Sequence, residues 1–272
     1  MKMSNRATLA CGTSLLLILG LYPALAPADD SVAREIMQKV EDRDDGDNRI
    51  AEMQMILIDK KGKQRSRKIK SYIKDFGEDT YRIMSFQSPA DVQGTGFLTY
   101  DYDDSARDDD QWLYLPALRK TKRIASSDKS GSFMGSDFNY SDMTSRNLED
   151  YDFTLLKETA LGEHQLWVIE AMPRGDDVID ETGYKKTMLL VRQDNYVVVR
   201  GVYWTSEGNR QKYYDMTGLE QIDGIWSPTR ITMTTKAGKQ VLHRTELTFD
   251  NIGYNQPLDE LLFTVRQLER EN

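Results

Sequence analysis

A mainly β fold follows from three observations on this chain of 272 residues. Apolar and polar residues alternate with period two from Arg49 nearly to the C-terminus. Turns rich in Gly, Asp and Lys recur at hairpin spacing, and no strand–helix rhythm of an α/β protein interrupts them. The alternating runs number roughly ten to twelve, enough for an antiparallel sandwich or a curved, barrel-like sheet.

Taken in order, the chain opens with an export signal. Lys2 and Arg6 precede the apolar run at residues 15–19, and Ala26, Pro27 and Ala28 supply small residues before a cut at Asp29. The expectation is a cleaved signal over residues 1–28 and a single domain over residues 29–272, the other reading of the leader being an uncleaved anchor. Cys11 lies ahead of the apolar run, the wrong side for a lipoprotein acceptor, and cleavage would leave no cysteine. Residues 31–42 (SVAREIMQKVED) predict a helix capped by Ser31, with Val32, Ile36, Met37 and Val40 as its apolar stripe. Strands are expected at residues 50–59 and 64–74, joined by the turn Lys60-Lys61-Gly62-Lys63, then at 80–87, 96–102 and 111–115. The acidic residues 101–110 read as a solvated loop. After a long central loop, strands are expected at residues 151–158, 165–172, 185–192, 196–205, 210–221, 225–235 and 240–249. A short helical or tight turn follows at residues 257–263.

A wide sheet with one helix for cover must close on itself or hold a cavity. The large apolar residues of the strand faces are the candidate wall: Met53, Met55, Leu57, Trp112, Tyr114, Trp167, Ile169, Met188, Ile231 and Met233. Methionine suits a surface that must fit variable apolar partners; an ordinary solid core is the competing reading. Residues 112–143 (WLYLPALRKTKRIASSDKSGSFMGSDFNYSDM) carry the strongest signal. Phe133, Met134 and Phe138 stand in Gly/Ser-rich loop sequence, so this loop is expected to lie over something apolar, as a lid with Gly131 and Gly135 as its flexible points. Arg119, Lys120, Lys122 and Arg123 just before it could hold an anionic head group or an acidic partner face. They could equally blunt an exposed sheet edge.

Composition narrows the function. A net charge of −8, or −10 once Lys2 and Arg6 are gone, disfavours nucleic acid and direct adsorption to anionic lipid. His164 and His243, the two histidines, stand apart with no metal-ligand spacing, so no metal or other cofactor is expected. Gly94-Thr95-Gly96 lacks a dinucleotide fingerprint, residues 131–135 lack a phosphate-loop lysine, residues 101–110 lack the calcium-loop glycine, and no G-x-S-x-G elbow occurs. Arg174-Gly175-Asp176 reads as a loop. The chain is therefore expected not to be an enzyme. A hydrolase would need a Ser or Asp brought beside His164 or His243 in a cleft.

The run WLYLPALR at residues 112–119, Lys122-Arg123-Ile124, and SFMGSDFNYSD at residues 132–142 resemble the signature of LolA-like outer-membrane lipoprotein-sorting proteins. The later run DGIWSP at residues 223–228 fits the same pattern. The resemblance implies an incomplete, half-open antiparallel β-barrel with an N-terminal helix and a lid over an apolar cavity for acyl chains. It also implies a periplasmic carrier whose cargo is an acyl-chain-bearing lipoprotein or another envelope lipid, passed toward the outer membrane. An inner-membrane transporter of the resistance-nodulation-division type is a further partner it implies. The alternative is a periplasmic accessory subunit of such a transporter, or of another envelope complex, that does not shuttle lipid. A monomer is expected in either case.

Overall fold

The computed structural model describes residues 29–270; the expected export signal lies outside them. Helix α1 (Ser31–Glu41) buries Ala33, Ile36 and Met37. Its cap is Asp30, not Ser31: the Asp30 carboxylate accepts from Val32 N at 2.9 Å. The expected stripe therefore shifts by one residue at its start, and Val32 is 52% exposed.

Among the described residues thirteen strands form one antiparallel sheet. The first arm comprises β1 (Asn48–Asp59), β2 (Gln64–Phe76), β3 (Asp79–Ser88), β4 (Gly96–Asp101), β5 (Asp110–Leu115) and β6 (Lys120–Arg123). The second arm comprises β7 (Tyr151–Leu161), β8 (His164–Pro173), β9 (Tyr184–Arg192), β10 (Val198–Thr205), β11 (Arg210–Ile222), β12 (Ile225–Ala237) and β13 (Gln240–Tyr254), with α2 (Asp176–Thr182) between β8 and β9. The strand order is β6-β5-β4-β3-β2-β1-β13-β12-β11-β10-β9-β8-β7. The first and last strands thus meet in the middle, Met53 opposite Phe249 and Met55 opposite Leu247.

Twelve strands fall on expected runs, and the thirteenth, β6, is the cationic run itself. Alternation hides a four-residue strand whose side chains are nearly all polar. Arg174 and Gly175 form the expected bend, α2 begins at Asp176, and Gly183 ends it at φ 76°.

The sheet does not close, because β6 and β7 remain edge strands. Residues 124–150 connect them, so this segment has to cross the open side. Four one-turn 3₁₀ segments make it compact. Helix α1 completes the cover against β7: Asp30 N donates to Phe153 O at 2.8 Å, and Arg34 Nη2 to Tyr151 O at 2.6 Å. The half-open barrel expected from the resemblance is the observed fold, an open sheet of thirteen strands with an N-terminal helix.

Both faces of the first arm are apolar. One faces the covered interior; the other packs under the C-terminal segment, which includes a 3₁₀ turn (Glu260–Phe263) and α3 (Val265–Leu268). There Phe76 stacks on Tyr81 at 4.4 Å, Tyr81 on Tyr100 at 3.9 Å, and Tyr100 meets the Trp112 edge at 4.8 Å. Gly96 permits α3 to approach: a Cβ at this position would lie 2.5 Å from Leu268 Cδ1 and 3.3 Å from Leu268 O. Gly96→Val is expected to cost about 1–3 kcal/mol of stability. In urea denaturation its combination with Leu268→Ala should cost less than the two single losses together.

Candidate functional site

Residues 124–150 are held by buried polar contacts. Asp137 is buried, and its carboxylate accepts from Thr235 Oγ1 at 2.5 Å and Thr245 Oγ1 at 2.7 Å, with His243 Nδ1 at 2.6 Å. Asp137 N donates to Thr245 Oγ1 at 2.9 Å. The partners come from β12 and β13, so the segment is fixed to the middle of the sheet. Around this anchor, Arg67 Nη1 of β2 donates to Met134 O at 2.6 Å, and buried Lys129 pairs with Glu181 of α2 at 2.5 Å. Lys212 Nζ of β11 donates to Asn139 Oδ1 at 2.6 Å. Burial pushes the Lys212 ammonium below its usual pKa.

Phe133 and Phe138 are both buried on the underside of this segment. Phe133 fills the space above the first arm, 4.9 Å from Phe97, 5.5 Å from Tyr140 and 6.3 Å from Phe86. Met134 is half-buried and sits at φ 51°, followed by Gly135 at φ 74°, where a side chain would be strained. This tight reversal is what turns Phe133 inward.

Over the second arm the interior is not filled. A cavity of about 440 Å³ lies between α1, the crossing segment and the sheet. Met37 and Val40 line it from the helix, Phe138 and Leu148 from the crossing segment, and Leu189, Val198, Tyr203, Tyr214 and Met233 from β9 to β12. Glu41, Arg43, Asp45, Asp142, Ser145 and Arg146 complete it with a charged border. The volume lies within the ~300–1,000 Å³ typical of ligand sites.

Arg146 is the strongest charge in this wall. Its guanidinium lies 5.1 Å from the Tyr203 ring centre, 5.4 Å from Tyr184 and 6.0 Å from Tyr151, with Asp142 at 3.6 Å. Burial works against the cation, but these rings and the carboxylate outweigh it and hold its pKa above the usual value. Burial pushes the Tyr203 phenol up to about 12. Beneath the border, Asp101 accepts from Ser145 N at 2.7 Å and from Ser145 Oγ at 2.8 Å. The expected solvated loop at residues 101–110 is thus partly inside: burial, reinforced by Asp109, pushes Asp101 up to about 6.

The candidate wall residues divide by face. Met53, Met55, Leu57, Trp167, Ile169, Ile231 and Met233 face the covered interior with Phe133, Met134 and Phe138. Of these, Phe138 and Met233 border the cavity itself. Trp112 and Tyr114 do not face it: they pack on the outer face under the C-terminal segment, while Leu113 points inward. Met188 likewise gives way to Leu189 as the inward residue. Arg119 and Lys120 are exposed at the β5–β6 turn, Lys122 pairs with Asp128 at 3.2 Å, and Arg123 pairs with Asp110. None of these four borders the cavity, so the head-group role expected for them finds no geometry there. Arg43, Arg146, Tyr203 and Tyr214 went unnoticed in the sequence; the one available signal was the position of Arg146 just after the crossing segment's aromatic residues.

His243 does meet a carboxylate, Asp137. The hydroxyls beside that pair, on Thr235 and Thr245, donate to Asp137. Among the described residues no cluster suited to a metal ion occurs.

An incomplete antiparallel barrel with a covered cavity is the class that this fold and site define. A family model described only as that of an uncharacterized protein matches residues 78–270. A structure described as an outer membrane lipoprotein-sorting protein domain from Vibrio parahaemolyticus is 31% identical, covers 88% of this chain and 99% of that one, and superposes with a TM-score of 0.79. A DUF1329 family protein from Desulfovibrio piger is 28% identical over 89% of this chain and 99% of that one, with a TM-score of 0.80. A LolA superfamily protein from Nitrosomonas europaea shares the fold at 19% identity and a TM-score of 0.65, over 86% of this chain and 98% of that one. No curated protein matches the sequence. The chain belongs to the LolA-like family of outer-membrane lipoprotein-sorting proteins.

Two outcomes follow from this geometry. Asp137→Ala strips a buried anchor from its donors and is expected to cost on the order of 2–3 kcal/mol, with faster amide exchange over residues 130–142. The Asp101 pKa, raised from 3.8 to about 6, means that the folded state keeps a proton the unfolded chain releases between those values. Stability contributed through Asp101 therefore falls as pH rises through that window. Melting temperatures of the wild type and Asp101→Asn should diverge with pH there and run parallel above it.

Proposed function

We propose that this protein is a periplasmic carrier of amphiphilic, acyl-chain-bearing cargo, lipoprotein or envelope lipid, held between α1, the crossing segment and β9 to β12. The observation that carries this reading is the unfilled cavity of about 440 Å³, apolar on its walls and charged at its border, within a lipoprotein-sorting fold. An acyl chain exposed to water costs roughly 0.8 kcal/mol per CH₂, so a soluble carrier has to cover it. Met37, Val40, Leu189 and Met233 supply apolar contact, while Arg43 and Arg146 offer charge to a polar head. The expected export signal and the printed description of a lipoprotein-sorting relative support a place between two membranes, with cargo passing toward the outer one.

The protein purified without detergent should yield bound acyl species by native mass spectrometry and lipid extraction. Val40→Trp, which fills the cavity from the helix side, should remove most of that cargo while the protein stays folded. Wild-type protein that is empty, yet captures an inner-membrane transporter, would instead make it the accessory subunit.

A further inference from the structure

The net charge of −8 conceals a separation of charge between the two ends of the sheet. The hairpin turns β1–β2, β12–β13 and β10–β11 lie side by side at one end, because their strands are contiguous in the order β2-β1-β13-β12-β11-β10. They carry Lys60, Lys61, Lys63, Arg65, Lys236, Lys239 and Arg210 against two acids, Asp59 and Glu207. The Asp59 carboxylate is already engaged, accepting from Lys61 N and Lys63 N inside its own turn. At the same end the β5–β6 turn adds Arg119 and Lys120, and the β3–β4 connection adds one exposed acid, Asp91. Among the described residues, none of these nine cations is in an ion pair. The patch stops where α2 brings Asp176, Asp177 and Asp180 to the same end.

The opposite end is acidic. It carries Glu78 and Asp79 at the β2–β3 turn, Asp103 and Asp104 between β4 and β5, and Asp44 and Asp47 before β1. Strands as long as β11 and β12 hold the ends roughly 40 Å apart, several times the ~8–10 Å over which salt screens charge. The cationic end therefore acts as a local positive surface whatever the total charge. Two exposed apolar residues stand among the cations, Leu118 at 63% and Val241 at 45% exposure. Cations outside any ion pair on several turns, one of them (Lys236) over the Tyr213 ring at 4.2 Å, interspersed with apolar residues, suit a diffuse layer of phosphates better than a shaped protein pocket.

We propose that this end docks on the phosphate head groups of an anionic lipid bilayer. Docking sets the molecule on end, with β1, β2, β12 and β13 meeting the surface through their turns. The crossing segment's tip goes with them, since Met134 and Asp137 are bound to Arg67, Thr235 and His243 just behind those turns. None of the turn cations borders the cavity, so docking and cargo binding are separable.

Co-sedimentation with vesicles of phosphatidylcholine, alone or mixed with phosphatidylglycerol, tests this at low and high salt. The wild type should partition onto the mixed vesicles and leave them as salt rises. Lys61→Glu/Lys63→Glu/Lys239→Glu should lower partitioning at least about tenfold with cavity lipid content unchanged. The milder Lys61→Gln/Lys63→Gln/Lys239→Gln should show a smaller loss of the same sign. Asp103→Asn/Asp104→Asn at the far end should keep full binding. Equal binding to both vesicle types, or full binding by the Glu variant, would overturn the proposal. So would a wild type that ignores anionic vesicles but binds an acidic membrane protein through these lysines.

Discussion

An open sheet with an apolar concave face cannot stand uncovered in water, and the position of its cover rests on one buried carboxylate. Asp137 would be costly to bury alone. Two threonine hydroxyls and an imidazole converge on it, and they belong to the strands at the middle of the sheet. The crossing segment is therefore anchored at its centre as well as at the edge strands where it begins and ends. Every other feature of the interior, from the seat of Phe133 to the wall of the cavity, takes its place from that anchor.

The anchored segment does two different things beneath it. Over the first arm it fills the interior with Phe133, so that half is solid. Over the second arm it stops at Phe138 and Leu148 and leaves space. Solid core and hollow are thus both correct descriptions, each for one arm. The charged border arises because α1 and the crossing segment approach one another through polar ends, Glu41 and Arg43 on one side and Asp142 and Arg146 on the other. Arg146 keeps its charge in that wall through three tyrosine rings and Asp142, a setting that ties the border to β7, β9 and β10.

Period-two alternation revealed the strands because most carry one apolar face, and the Gly-containing turns fixed their ends. It failed at β6, where KTKR has no apolar member to alternate. It also could not say which face points inward where both are apolar. At β5 the larger side chains, Trp112 and Tyr114, were the natural choice, but the C-terminal segment covers them from outside and Leu113 takes the interior. The same ambiguity exchanged Met188 for Leu189. Phe133 and Phe138 were legible because bulky apolar residues in Gly/Ser sequence need cover. Arg146 and Asp137 were not, since their roles depend on partners far away in the chain.

Pairing between β1 and β13 places the seam of the sheet where the two ends of the strand sequence meet. Neither arm can complete its middle until residues 240–254 are available, although every other ladder joins neighbours in the chain. Such a layout makes assembly wait on one long-range encounter whose loop runs from Asp59 to His243. A chain threaded across a membrane from its N-terminus would emerge as two unjoined sheets and become a single wall only with its last strand.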